Sequence, residues 1–177
     1  MTIELTSRLL RSDSAVGTWT LDPARSTVRL LQKGLWGLGT VKLTFTDFQG
    51  SGEIGAGHSV TGIVTLGSAS IDSKNPTRDG HLRGARFLDA EKHPEIAMIV
   101  KSARPAGPAI ELAGELVIKG VREPVTLTAE VAALTADTLT AHVTGRVDRH
   151  RFGVSGNQLG MIVGRTTIDA DAVFTRA

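Results

Sequence analysis

The 177-residue sequence has no cysteine and no tyrosine, and its aromatic residues amount to two tryptophans and five phenylalanines. Without a thiol there is no disulfide framework, zinc ribbon, thiol nucleophile or haem-attachment motif. No run approaches the roughly 18 apolar residues that a membrane-spanning helix needs. The first eleven residues, MTIELTSRLLR, break their apolar positions with charge and give no uninterrupted stretch of signal-peptide length. A cytoplasmic protein without stable membrane insertion is the expectation.

Charge of one sign is also missing. Twenty Lys and Arg face 18 Asp and Glu, for a formal net charge of +2. The isoelectric point near 9.3 follows from the missing residue types. With neither Cys nor Tyr, little titrates between neutrality and the lysines, so a small surplus persists over several pH units. A chain-wide nucleic-acid footprint is not implied, and the aromatics are too few for a base-stacking groove. No nucleic-acid partner is expected.

Catalytic signatures are absent as well: there is no Gly-x-Ser-x-Gly elbow, no HExxH and no P-loop. His81 and His93, or His142 and His150, are not spaced as ligands on one helix or hairpin. No metal and no cofactor are expected. One enzymatic alternative stays open, in which Asp79, His81 and the nearby arginines serve a small-molecule reaction on a barrel scaffold. Residues two apart on a helix point in different directions, which weakens Asp79 and His81 as an acid/base pair.

What the sequence does hold is 41% hydrophobic residues, 20 glycines, and threonine and valine in quantity, a composition of strands and turns. Beyond Gly17 apolar residues recur at every second position. Val41, Leu43 and Phe45 share a face, as do Ile96, Met98 and Val100. Ile110, Leu112, Gly114, Leu116 and Ile118 share another, then Val125 to Val131, Leu139 to Val147 and Ile168 to Phe174. Period-two alternation with one polar face describes antiparallel strands around a single core. With Ser26–Lys33 and Ser59–Ile71 the sequence gives about eight long strands, separated by turn signals at 47–57, 104–108, 119–120 and 135–137. The expected fold is an all-β, eight-stranded antiparallel barrel spanning residues 17–177, because closure removes the edges that a sandwich must protect. Residues 1–16 read as a flexible tail or a short amphipathic helix.

Residues 72–94 break the alternation. Asn75 is a good N-cap, Pro76 suits the first helical position and Asp79 sits near the positive end of the dipole. A short helical insertion around residues 76–90 is predicted, although Asp79-Gly80 alone would also suit a hairpin turn.

This segment carries a resemblance. RDGHLR at 78–83, FLDA at 87–90 and HPEI at 93–96 resemble the signature of the YceI-like family. WTLDPARS at 19–26, GELVIKGV at 114–121 and DRHRFGV at 148–154 are similar to further family stretches, in the same order. The likeness covers about residues 17 to 175. Arg25 stands where the family often has histidine, Gly80 is a small variant within the helix, and aromatics are scarcer than usual. The resemblance implies a lipocalin-like barrel whose apolar pocket binds a polyisoprenoid or other amphiphilic lipid, quinone-like or prenyl phosphate, without catalysis. It also implies a homodimer.

An eight-stranded barrel has room for filling side chains or for one ligand. The candidate lining residues are Trp36, Phe45, Met98, Leu112, Leu116, Leu127, Val143 and Phe152. Guanidinium forks bind phosphate bidentately, so Arg78, Arg149 and Arg151, with His81, are the candidates for a lipid head. The competing reading has Arg78, Asp79, Asp148 and Arg149 pairing with one another to fix the helix on the barrel.

Overall fold

The computed structural model describes residues 2–11, 13–34, 38–156 and 165–177. Among these, β1 (Gly17–Leu21), β2 (Thr27–Gly34), β3 (Gly39–Phe45), β4 (Phe48–Ile54) and β5 (Val60–Gly67) precede a two-residue β6 (Ile71–Asp72). Then come β7 (Glu95–Ala106), β8 (Ala109–Ile118), β9 (Val121–Leu134), β10 (Thr138–Asp148) and β11 (Arg165–Arg176). All pairings are antiparallel, and β1 bonds both β4 and β11, which closes the sheet. The chain turns at Asp22-Pro23, so β1 and β2 act as one kinked strand. They pair with β4 and β3, themselves parted only at Thr46-Asp47. Counted this way, the closed barrel has the eight staves that the alternation predicts.

One strand within these staves is not legible in the sequence pattern. The stretch 47–57 reads as a turn, yet Phe48–Ile54 is β4, with Phe48 and Ile54 buried. Its glycines do the work that side chains do elsewhere. Gly52 lies opposite Gly62 of β5, and a Cβ on either would fall about 3 Å from the partner strand's carbonyl oxygen. Ser59–Ile71 is also shorter than expected, since β5 ends at Gly67 and a 3-10 turn, Ser68–Ser70, leads to β6.

The inward phase is otherwise as predicted. Ile110, Leu116, Val125, Leu127, Val131, Leu139 and Ala172 are buried, while charged residues on the alternate positions face outward. On the outer surface, Arg29 of β2 bridges Asp169 and Asp171 of β11, and His142 of β10 bonds the same two carboxylates. The Arg29 and His142 hydrogen bonds hold the Asp171 carboxyl below the usual carboxylate range.

The α-helices among the described residues are α1 (Thr2–Arg11) and α2 (Pro76–Arg83). Within the N-terminal stretch, Thr2–Arg11 is helical. Leu5, Thr6 and Leu9 turn toward the barrel while Glu4 and Arg8 are exposed, and the Thr6 hydroxyl donates to the Pro108 carbonyl at 2.8 Å. α2 begins as predicted: the Asn75 side chain accepts from the Arg78 N–H at 3.0 Å, and Pro76 opens the first turn. From Gly84 to Lys92 the chain continues as hydrogen-bonded turns.

Candidate functional site

The inward faces of the strands do not fill the barrel. They enclose a cavity of about 320 Å³ whose wall is almost entirely hydrocarbon. One end is lined by Leu9 of α1 with Trp19, Val131 and Leu139. The other is lined by Leu82, Phe87, Leu88 and Val154. The small inward residues Ala129, Ala141, Ala170 and Ala172 leave this volume where larger side chains would occupy it.

Six of the eight predicted lining residues, Phe45, Met98, Leu112, Leu116, Leu127 and Val143, stand on the cavity wall. Phe152 is buried in the adjoining core cluster and borders a separate surface groove instead. Trp36 lies outside the described residues. The polar candidates separate more sharply. Arg78 is spent within its own segment, where Nε and Nη2 donate to the Ser73 hydroxyl and carbonyl at 2.8 and 3.0 Å. Arg151 is exposed and bonds Glu123 at 2.8 Å. His81 is exposed on α2, off the cavity. Asp79 is buried, but its carboxylate accepts from the Ser73 N–H and hydroxyl at 2.8 and 2.5 Å.

Arg149 alone among the four polar candidates reaches the cavity wall. Gly153, at φ +72°, caps the 3-10 turn Arg149–Phe152 that follows β10, and this turn carries the side chain inward. Only 6% of Arg149 is exposed. Its Nη1 donates to the carbonyls of Val154 and Gly156 at 3.2 and 2.5 Å. Nε and Nη2 are buried and have no hydrogen-bond partner among the described residues. The expected pairing with Asp148 does not form, because that carboxylate accepts from the His150 N–H at 3.0 Å and lies 3.2 Å from its ring. Burial pushes the Arg149 guanidinium below its ordinary value, against the raising pull of Asp148.

Two residues that sequence reasoning passed over share this end of the cavity. Gln32 and Thr166 lie directly across the β2–β11 pair, both are buried, and the Thr166 hydroxyl donates to the Gln32 amide oxygen. A signal for them existed: both occupy the inward phase of strands whose other inward residues are apolar. The cavity is thus a largely hydrocarbon tube in which Arg149, Gln32 and Thr166 put buried polar groups at one end, an arrangement that suits an amphiphile.

A YceI-like domain model matches residues 19–174. Protein YceI of Escherichia coli O157:H7 is 33% identical over 90 residues, covering 50% of this chain and 47% of that protein, so the match spans about half the length of that relative. A UPF0312 protein of Staphylococcus aureus strain USA300 is 26% identical over 170 residues, 89% of this chain and 96% of its own. Among solved structures, Burkholderia cenocepacia BcnA superposes with a TM-score of 0.78 at 22% identity, covering 86% of this chain and 98% of BcnA. A polyisoprenoid binding domain from Saccharophagus degradans, implicated in plant cell wall breakdown, superposes at 0.70 with 13% identity, covering 90% and 98%.

Proposed function

We propose, from the premise that this chain belongs to the YceI-like domain family, that its barrel holds the apolar chain of a polyisoprenoid or similar long-chain amphiphilic lipid. The role is non-catalytic: carriage, storage or sensing. The observation that carries this reading is the cavity itself, which is walled by aliphatic side chains from the strands and by Leu9 of α1. Burying a chain there gains roughly 25 cal/mol for each Å² of apolar surface removed from water. That gain has no directional requirement, so the small inward alanines and valines are as useful as aromatics. Phe45, Met98, Leu112, Leu116, Leu127 and Val143 are the proposed chain contacts.

The geometry around Asp79 also supports a binding role over the enzymatic alternative. A general base has to reach its substrate's proton, and the Asp79 carboxylate is directed to Ser73, away from the cavity wall. Organic extraction of the purified protein followed by mass spectrometry tests the proposal. A long-chain lipid in stoichiometric amount is expected. Protein that emerges empty and takes up no prenyl lipid on incubation would overturn it.

A further inference from the structure

The polar end of the cavity contains a cation that the protein leaves half-used. A guanidinium stays protonated in proteins, and placing an unpaired charge in an apolar wall is costly. The neighbouring Arg78, Arg83 and Arg151 are spent: Arg78 on Ser73, Arg83 on the Ala69 and Ile71 carbonyls, and Arg151 on Glu123. Arg149 differs. Its Nη1 is committed to the Val154 and Gly156 carbonyls, which fixes the orientation of the plane. The two nitrogens without a partner among the described residues, Nε and Nη2, share one edge of that plane. That edge presents two nearly parallel N–H groups, which match a pair of oxygens on one carboxylate or phosphate. Among the described residues no carboxylate takes this edge.

We infer that Arg149 anchors the head of the bound lipid, a carboxylate or phosphate whose two oxygens seat on its Nε/Nη2 edge, with the chain running up the cavity toward α1. The inference rests on the lipid-binding reading and deepens it, since it selects an acidic amphiphile over a neutral quinone or alcohol. It also fixes the polarity of the ligand. The head lies at the end shared by Arg149, Gln32 and Thr166, and the tail at the end lined by Leu9, Trp19 and Leu139. Competing carbonyl bonds do not satisfy the edge, because they all fall on Nη1.

The test uses the full-length chain, delipidated, and three probes of matched chain length: a polyprenyl phosphate, the corresponding polyprenol and a long-chain fatty acid. Calorimetric titration of wild-type protein should show the phosphate, the fatty acid or both binding about ten-fold or more tighter than the alcohol, the scale of one charge-assisted hydrogen bond. Whichever acid binds better names the source of the head. Arg149→Met should remove this preference, so that the two acids bind the variant no tighter than the polyprenol does. Arg149→Lys keeps the charge and loses the fork, so it should retain part of the preference; it serves if the Met variant does not fold. Equal binding of phosphate, fatty acid and alcohol to wild-type protein would overturn the anchor while leaving the lipid pocket intact. An acid preference that survives Arg149→Met would also overturn it. Failure of all three probes to bind would sink the lipid-binding reading itself.

Discussion

At Gly114 one hydrogen atom decides whether two strands can touch. β7 carries an extra residue at Lys101, and the bulge brings its backbone toward β8. A Cβ on Gly114 would lie 1.8 Å from the Ile99 carbonyl oxygen and 2.8 Å from its carbon. That neighbour is backbone within a ladder, so it cannot swing aside as a side chain would. Gly114→Ala is expected to destabilise the protein by about 1–3 kcal/mol, the usual cost of overpacking. Gly80 is the contrast, exposed within α2 with nothing within 4 Å of an added Cβ. Gly80→Ala should stabilise by about 0.5–1 kcal/mol, because glycine costs a helix conformational entropy. Chemical denaturation of both variants checks the pair, and a Gly114→Ala protein as stable as wild type would refute the steric reading. The sequence shows both glycines alike. Period two places Gly114 on the inward face, but the bulge that makes it indispensable comes from register across strands, which no single stretch of sequence states. Arg149 is a similar case: the motif around it is legible, while the lack of a partner among the described residues for half its guanidinium is a property of the folded end of the barrel.

Elements were most legible where local chemistry and pattern agreed. α2 was visible because Asn75, Pro76 and Asp79 occupy the positions that a helix start requires, and the β8–β9 hairpin because Lys119 and Gly120 take the two positive φ angles of a tight turn. β4 was not, since Phe48–Ile54 has glycine at two of its seven positions and resembles a loop until Gly62 is seen across from Gly52. For α1 the sequence is ambiguous because the helix draws its stability from what it covers. A ten-residue helix is marginal alone in water. This one is held by Leu5 and Leu9 against the core cluster that contains Trp19, Ile110 and Leu139. Leu9 also lines the cavity, so α1 is the wall at that end rather than an appendage. Removal of residues 1–11 should therefore leave the barrel's β-sheet circular dichroism intact and increase binding of an apolar fluorescent dye. It should also speed the loss of a preloaded lipid. A truncated protein with unchanged dye binding and lipid off-rate would show that α1 does not seal the cavity.

Closure is the property of the whole molecule on which the cavity depends. The β1–β11 pairing joins the first and last staves, and Arg176 fastens that seam. Its guanidinium donates to the carbonyls of Ser14, Val16 and Ala136, each at 2.6 Å, and lies 4.4 Å from the centre of the Trp19 ring. A closed wall around an aliphatic interior has a thermodynamic consequence. The volume that would be core in a filled barrel is stabilising here only when a ligand's hydrocarbon occupies it, since an unoccupied apolar volume forfeits dispersion contacts. A ligand that binds the folded state and not the unfolded one adds RT ln(1 + [L]/Kd), about 2.7 kcal/mol at a hundredfold excess over Kd. For a chain of this size each kcal/mol moves the midpoint by roughly 2–4 °C. Delipidation should thus lower the thermal midpoint by roughly 5–10 °C, and re-addition of the extracted lipid should restore it in proportion to the logarithm of its concentration. The recovery should persist at high salt, because burial of a hydrocarbon chain is not screened as surface charge is. A midpoint indifferent to delipidation would mean that the interior is already as well packed without a chain in it, and a recovery abolished by salt would place the lipid on the outer surface instead of inside the barrel.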